Sequence, residues 1–187
     1  MLKNTGLTVQ DCDAVAVAAG PGSFTGIRIG VSAAKGLAFA ADKPCAAVST
    51  LEAMARNVAH MDALVVCAMD ARRSQIYNAL FTSEHGRLTR RTPDRAIGLA
   101  ELAEELRSEP LPLVIVGDGA VLCEKALTES GLPCRLAPPQ LVMQNAMSVA
   151  LCAEDLARAG KLVSAQELLP VYLRPPQAQR LRQPPQI

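Results

Sequence analysis

Two segments have residue types and spacings that suit anion chemistry. The first is Gly20-Pro21-Gly22-Ser23-Phe24-Thr25-Gly26-Ile27-Arg28, between an apolar run, Ala14 to Ala18, and a helix-forming stretch. The second is Val114-Ile115-Val116-Gly117-Asp118-Gly119, again an apolar strand meeting a Gly-x-Gly turn before a helix. Such a turn aims backbone amides and a helix dipole at one point, which suits a phosphate. Gly20, Gly22, Ser23, Gly117, Asp118 and Gly119 are therefore the candidate phosphate or nucleotide contacts, read as vestigial. Asp70 and Asp118 close strands, a place for ligand carboxylates and equally for turn residues.

Most sharper chemistries fail on spacing. The third glycine of the first turn comes one place late for Gly-x-Gly-x-x-Gly, and Asp42 lies past the helix rather than at a strand end, so a Rossmann site is disfavoured. Gly26-Ile27-Arg28 stands where a P-loop needs Gly-Lys-Ser/Thr. Ser23 lacks the Gly-x-Ser-x-Gly elbow, and the two histidines, His60 and His85, fall at a helix end and in a turn, too far apart to pair around zinc. No metal and no cofactor are expected. Six cysteines without a Cys-x-x-Cys pair read as small buried hydrophobes of a reducing compartment.

The elements that position these turns read as follows. Thr8-Val9-Gln10-Asp11 resembles a capping box; a strand over Ala14 to Ala18 runs into the first turn, and a helix spans 26–41. A strand over Cys45 to Val48 leads to the capping box Ser49-Thr50-Leu51-Glu52 and a helix to about residue 58. Three strands then come in succession, at 63–69, 75–82 and 87–92. Helix 99–107, strand 113–116, helix 119–130, strand 134–136 and helix 144–159 complete the order. Laid side by side, the two halves match as a duplicated α/β unit, if the first copy lacks its opening three strands and one helix. The expected domains are 1–60, the remainder of a first lobe, and 61–174, a second lobe whose last helix packs back on the first. Residues 175–187, rich in Pro and Gln, read as a disordered tail.

Helix 26–41 carries too much apolar surface for a one-sided cover. Ile27, Val31, Ala34 and Ala38 form one stripe, Ile29, Ala33, Leu37 and Ala40 another, and only Arg28, Ser32 and Lys35 make a polar strip. A helix on a sheet needs one apolar side, so the second stripe is covered either by another part of the chain or by a partner. The partner reading takes Phe24, Thr25, Ile27, Arg28, Val31, Ser32, Ala34, Lys35 and Ala38 as the interface.

Net charge is +1, with two Tyr, three Phe and no Trp, which excludes a dedicated nucleic-acid binder with a strong basic excess and stacking rings. The arginine groups Arg72-Arg73, Arg87/Arg90/Arg91/Arg95 and Arg174/Arg180/Arg182 read as solvated surface. No stretch approaches the roughly 18 uncharged residues of a membrane span, and the start lacks a secretory core, so a cytoplasmic protein is expected.

Gly20 to Gly30, Ala34-Lys35-Gly36-Leu37-Ala38, Ser49-Thr50-Leu51-Glu52-Ala53, Asp70-Ala71-Arg72 and Pro170-Val171-Tyr172-Leu173-Arg174, in that order, resemble the TsaB (YeaZ) family. The resemblance runs from about residue 5 to 174. It implies a duplicated actin-like, sugar-kinase-like (RNase H-like) ATPase fold. It also implies a non-catalytic role in making threonylcarbamoyladenosine at position 37 of tRNA. The implied partners are the paralogue TsaD, which performs the transfer, and the ATPase TsaE. A homodimer in isolation is possible, contact with tRNA is expected to be indirect or weak, and the helix after the Gly-Pro-Gly turn is implied as the dimer interface. Where the paralogue carries a metal-binding His-x-x-x-His, this chain has Thr50 and Met54, a hydroxyl and a thioether unsuited to that metal. The family's opening Asp-Thr-Ser phosphate segment is not found in these residues. The alternative is a stand-alone ATP-binding or peptidase-like enzyme of the same superfamily.

Overall fold

The computed structural model describes residues 2–72 and 74–174. The segment 175–187, with its expected disorder, and Arg73, Arg180 and Arg182 lie outside them. After a short helix, α1 (Leu2–Thr5), and a 3-10 turn at Val9–Asp11, the first lobe holds β1 (Val15–Gly20), α2 (Phe24–Ala41), β2 (Cys45–Ser49) and α3 (Thr50–Arg56). The second holds β3 (Ala63–Asp70), β4 (Gln75–Glu84), β5 (Arg87–Arg90), β6 (Arg95–Gly98), α4 (Leu99–Leu106), β7 (Leu113–Val116), α5 (Ala120–Glu129) and β8 (Cys134–Leu136). α6 (Ala146–Arg158) ends the series. The fold is α/β, and its repeat is visible: β1 and β2 are parallel and joined through α2, as β7 and β8 are through α5.

β3 is the centre of the larger sheet, antiparallel to β4 and parallel to β7. Its run Ala-Leu-Val-Val-Cys-Ala-Met shows no polar alternation because both faces are covered. Leu64, Val66 and Ala68 face a core with Leu102, Leu106, Cys123 and Leu127 of α4 and α5. Val65, Cys67 and Met69 face Leu51, Met54 and Ala55 of α3, so α3 belongs by packing to both lobes. α6 returns to the first lobe, where Cys152 and Ala153 meet Ala46, Val48 and Ala53.

Ten-residue β4 shares one partner edge between two strands: Phe81–Glu84 pair with β5 and Gln75–Asn78 with β6. β6 is an element that sequence reading misses, since four residues after Thr92-Pro93-Asp94 are too few to show a period. Fully buried Asn78 anchors this corner. Its Nδ2 donates to the Cys67 carbonyl at 2.8 Å, and its Oδ1 accepts from Arg95 Nε at 3.1 Å. Asn78→Ala leaves that buried carbonyl without its partner and is expected to lower stability by about 1–3 kcal/mol, read as a drop in urea midpoint at unchanged slope.

Local capping follows the sequence with one difference. Asp11 accepts from Thr8 N at 2.8 Å and Thr8 Oγ1 at 2.7 Å, bonds that hold its carboxyl below the usual range. Ser49 Oγ accepts from Glu52 N at 3.2 Å, but the reciprocal half of that box is absent. The Glu52 carboxylate pairs instead with Arg90 at 2.7 Å, a charged partner that outcompetes a backbone amide. Arg90 also holds Asp94, which accepts from Ser49 Oγ, so these four residues bind α3 to the second lobe.

All six cysteines are free thiols, and four of them are buried. Burial pushes the Cys67 thiol far up and Cys123 up to about 12, which keeps both protonated. Labelling the native chain at pH 8 is expected to modify the half-buried Cys12 first. Cys134 should follow slowly and the buried four only in denaturant. Rapid labelling of Cys67 would contradict this packing.

Candidate functional site

Between the lobes lies a cleft of about 630 Å³. Its walls are the first glycine turn with the start of α2 (Pro21 to Thr25), the ends of β3 and β7 (Met69 to Arg72 and Asp118), and Val171 to Arg174. The structure thus gathers Gly22, Ser23, Asp70 and Asp118 around one space, as two matched strand-to-helix turns should. Ser23 caps α2, its Oγ accepting from Gly26 N at 3.4 Å.

Three of these glycines stand where the chain's own backbone approaches closely. Gly20 sits at φ +137°, and a Cβ there would stand 2.3 Å from the Val171 carbonyl oxygen, while Val171 N donates to Ala19 O at 2.8 Å. A Cβ on Gly117, at φ +110°, would stand 2.2 Å from the Ala68 oxygen; one on Gly119 would stand 2.9 Å from Asp70 N. Gly119 N already donates to Ala68 O at 3.0 Å and Gly117 N to Val142 O at 2.8 Å. Asp118 Oδ1 accepts from Asp70 N at 3.1 Å, and Asp70 Oδ1 from Arg72 N at 2.7 Å. A backbone-to-backbone approach accounts for glycine at positions 20, 117 and 119 without invoking a ligand.

α2 settles which apolar stripe faces inward. Ile27, Val31, Ala34 and Ala38 are buried with Ala19, Cys45, Ala165 and Leu168. As partner-facing residues these four are corrected: they are the helix's own core contact. Outward stand Ile29, Leu37 and Phe39, at 66%, 52% and 69% exposure, with Ala33 and Ala40 beside the first two. Thr25 and Ser32 are exposed.

The polar strip is occupied too. Arg28 Nε donates to the Tyr172 hydroxyl at 2.8 Å, and its Cζ lies 3.9 Å from the centre of the Phe24 ring. Lys35 Nζ donates to the carbonyls of Gln166 and Leu168, both at 3.1 Å. Tyr172 is the site residue that composition and spacing leave without a role; its partner lies 144 positions away. Three of the arginines around β5 and β6 meet carboxylates. Arg90 pairs with Glu52 and Asp94, Arg91 with Glu109, and Arg95 with Glu105.

Thr50 and Met54 are buried, Met54 in an apolar cluster. Among the described residues no group of three or more His, Cys, Asp or Glu is placed to hold a metal, and no helix is long and apolar enough to cross a membrane.

A family model described as "TsaD: tRNA N6-adenosine threonylcarbamoyltransferase" matches residues 1–169. The chain is 33% identical over 178 residues to the tRNA threonylcarbamoyladenosine biosynthesis protein TsaB of Escherichia coli, covering 93% of this chain and 76% of that protein. The chain belongs to the TsaB (YeaZ) family. The TsaB of Bacillus subtilis is 38% identical over 129 residues, 69% of this chain, and that match spans 56% of the relative's length. A solved Pseudomonas aeruginosa structure, described as an uncharacterized protein with similarity to peptidase YEAZ, superposes with a TM-score of 0.79. Its identity is 27%, covering 92% of this chain and 79% of that one. The fold is accordingly the duplicated actin-like α/β fold of TsaB and TsaD proteins.

Proposed function

We propose that this chain serves tRNA threonylcarbamoyladenosine biosynthesis as a non-catalytic scaffold, seating TsaD on the outward face of α2, with TsaE completing the complex. The observation that carries this is α2 itself: an 18-residue helix packed on one side and apolar on the other, with Ile29 and Leu37 exposed. A contiguous apolar face on a helix marks a partner surface. The small residues Gly26, Ala33 and Gly36 let a second helix approach closely, and a stable pairing there buries about 1,000 Å² or more. The same face suits a homodimer when the partner is absent. Non-catalysis is supported by Met54, which fills a core, and by glycine turns committed to internal packing. Contact with tRNA through Arg90, Arg91 and Arg95 is disfavoured by their carboxylate partners.

The enzyme reading draws on the cleft alone. Calorimetric titration of the purified chain with Mg-ATP separates the two: the scaffold gives no heat beyond dilution, and micromolar binding would revive an ATP-using enzyme.

A further inference from the structure

The segment Val163–Arg174 forms no helix or strand of its own beyond one bridge, yet it meets β2, α2, the Gly20 turn and the end of β3 in succession. It begins on β2, where Val163 and Cys45 exchange backbone hydrogen bonds at 2.7 and 2.9 Å. The Ser164 turn is closed by Glu167, whose carboxylate accepts from Ser164 N at 3.0 Å and Oγ at 2.8 Å. Ala165 and Leu168 then insert beneath α2, and Lys35 clamps the carbonyls on either side. Val171 caps the Gly20 turn, and Tyr172 stacks on Phe24 at 5.1 Å between ring centres while holding Arg28. Finally the chain reaches the other lobe. Arg174 donates to the Ala71 carbonyl at 2.9 Å, with its Cζ 5.8 Å from the centre of the Tyr77 ring.

That last contact lands on a weak point. Between β3 and β4 the backbone runs through Arg72 at φ 63° and Ser74 at φ 56°, left-handed conformations that side-chain-bearing residues hold only when their surroundings enforce them. Ala71 is the residue just before this turn, and its amide closes the turn by donating to Gln75 O at 3.0 Å. On the other side, Gly20 is left-handed and pressed against Val171. One strap therefore joins a tightly packed glycine turn to a strained turn on the other side of the cleft.

We infer that Val163–Arg174 is a tie across the cleft, which couples the Gly20–Ser23 turn and start of α2 in the first lobe to the Ala71–Gln75 turn in the second. Release of either anchor loosens the turn at the opposite end. The coupling runs within the chain and needs no partner, so it stands apart from the scaffold reading.

The test cuts the tie at one end and reads the other. Hydrogen–deuterium exchange of the full chain is compared for wild type, Tyr172→Ala and Arg174→Ala. Tyr172→Ala is expected to speed exchange about fivefold at Ala71–Gln75, and Arg174→Ala to do so at Val171 and Ser23–Ile27. Amides of Val65 and Ile115, in the buried strands, should be unchanged in both. Effects confined to the mutated side would overturn the tie. If Tyr172→Ala loses protection throughout β3 and β7, Tyr172→Phe replaces it, since it removes the hydroxyl and keeps the ring. It then either speeds exchange at Ala71–Gln75 by a smaller factor, as the tie requires, or leaves that turn unchanged and refutes it.

Discussion

Ile29→Glu and Leu37→Glu are each expected to weaken binding to TsaD by about a hundredfold while leaving the melting temperature nearly unchanged; Val31→Glu should unfold the chain. All three substitutions put a carboxylate on the same helix, so helix propensity does not separate them. Burial does. Ile29 and Leu37 face solvent, where a substitution changes stability by about 0.5 kcal/mol or less. Val31 packs with Ala19, Cys45 and Leu168, and an unpaired carboxylate there costs several kcal/mol. A charge at the centre of an apolar interface costs about 2 kcal/mol or more, hence the expected loss in affinity. Co-purification with tagged TsaD and thermal unfolding of each variant check both halves. Undiminished binding by both outward variants would remove α2 from the interface.

Gly117→Ala should lower stability by about 4 kcal/mol, combining left-handed strain of about 1–2 kcal/mol with overpacking of about 1–3 kcal/mol. The added Cβ would lie 2.2 Å from the Ala68 oxygen and 2.9 Å from its carbonyl carbon, both backbone atoms of the central strand that cannot rotate away. Gly131→Ala separates the two contributions. Gly131 is also left-handed, at φ +79°, but nothing lies within 4 Å of its Cβ position, so only the strain of about 1–2 kcal/mol remains. For a chain of this size the difference is about 5–10 °C in melting temperature. Equal shifts would mean that the Gly117 turn moves aside, reopening the space in which a phosphate cradle was expected.

The contrast between those glycines shows what sequence reading can and cannot reach. Strands Leu113–Val116, an apolar run, and Cys134–Leu136 are bounded by turn residues and stand where expected. α2 begins two residues before the predicted 26, because Ser23 caps it. What stays hidden is direction. Ile27/Val31/Ala34/Ala38 and Ile29/Ala33/Leu37/Ala40 are equally apolar, so periodicity alone does not choose the buried stripe. The polar strip was opaque for another reason: Lys35 meets backbone carbonyls 131 and 133 positions away, and carbonyls leave no mark on sequence. Gly-x-Gly turns are likewise degenerate, since close approach by a phosphate and close approach by the chain's own backbone require the same residue.

The most direct measurement of the scaffold reading is transfer of the threonylcarbamoyl group to tRNA in a reconstituted mixture, with this chain present, absent or alone. The predicted result is product only when TsaD and this chain are combined with TsaE, and none from this chain by itself. Transfer by the chain alone, or a TsaD rate indifferent to its addition, would contradict it.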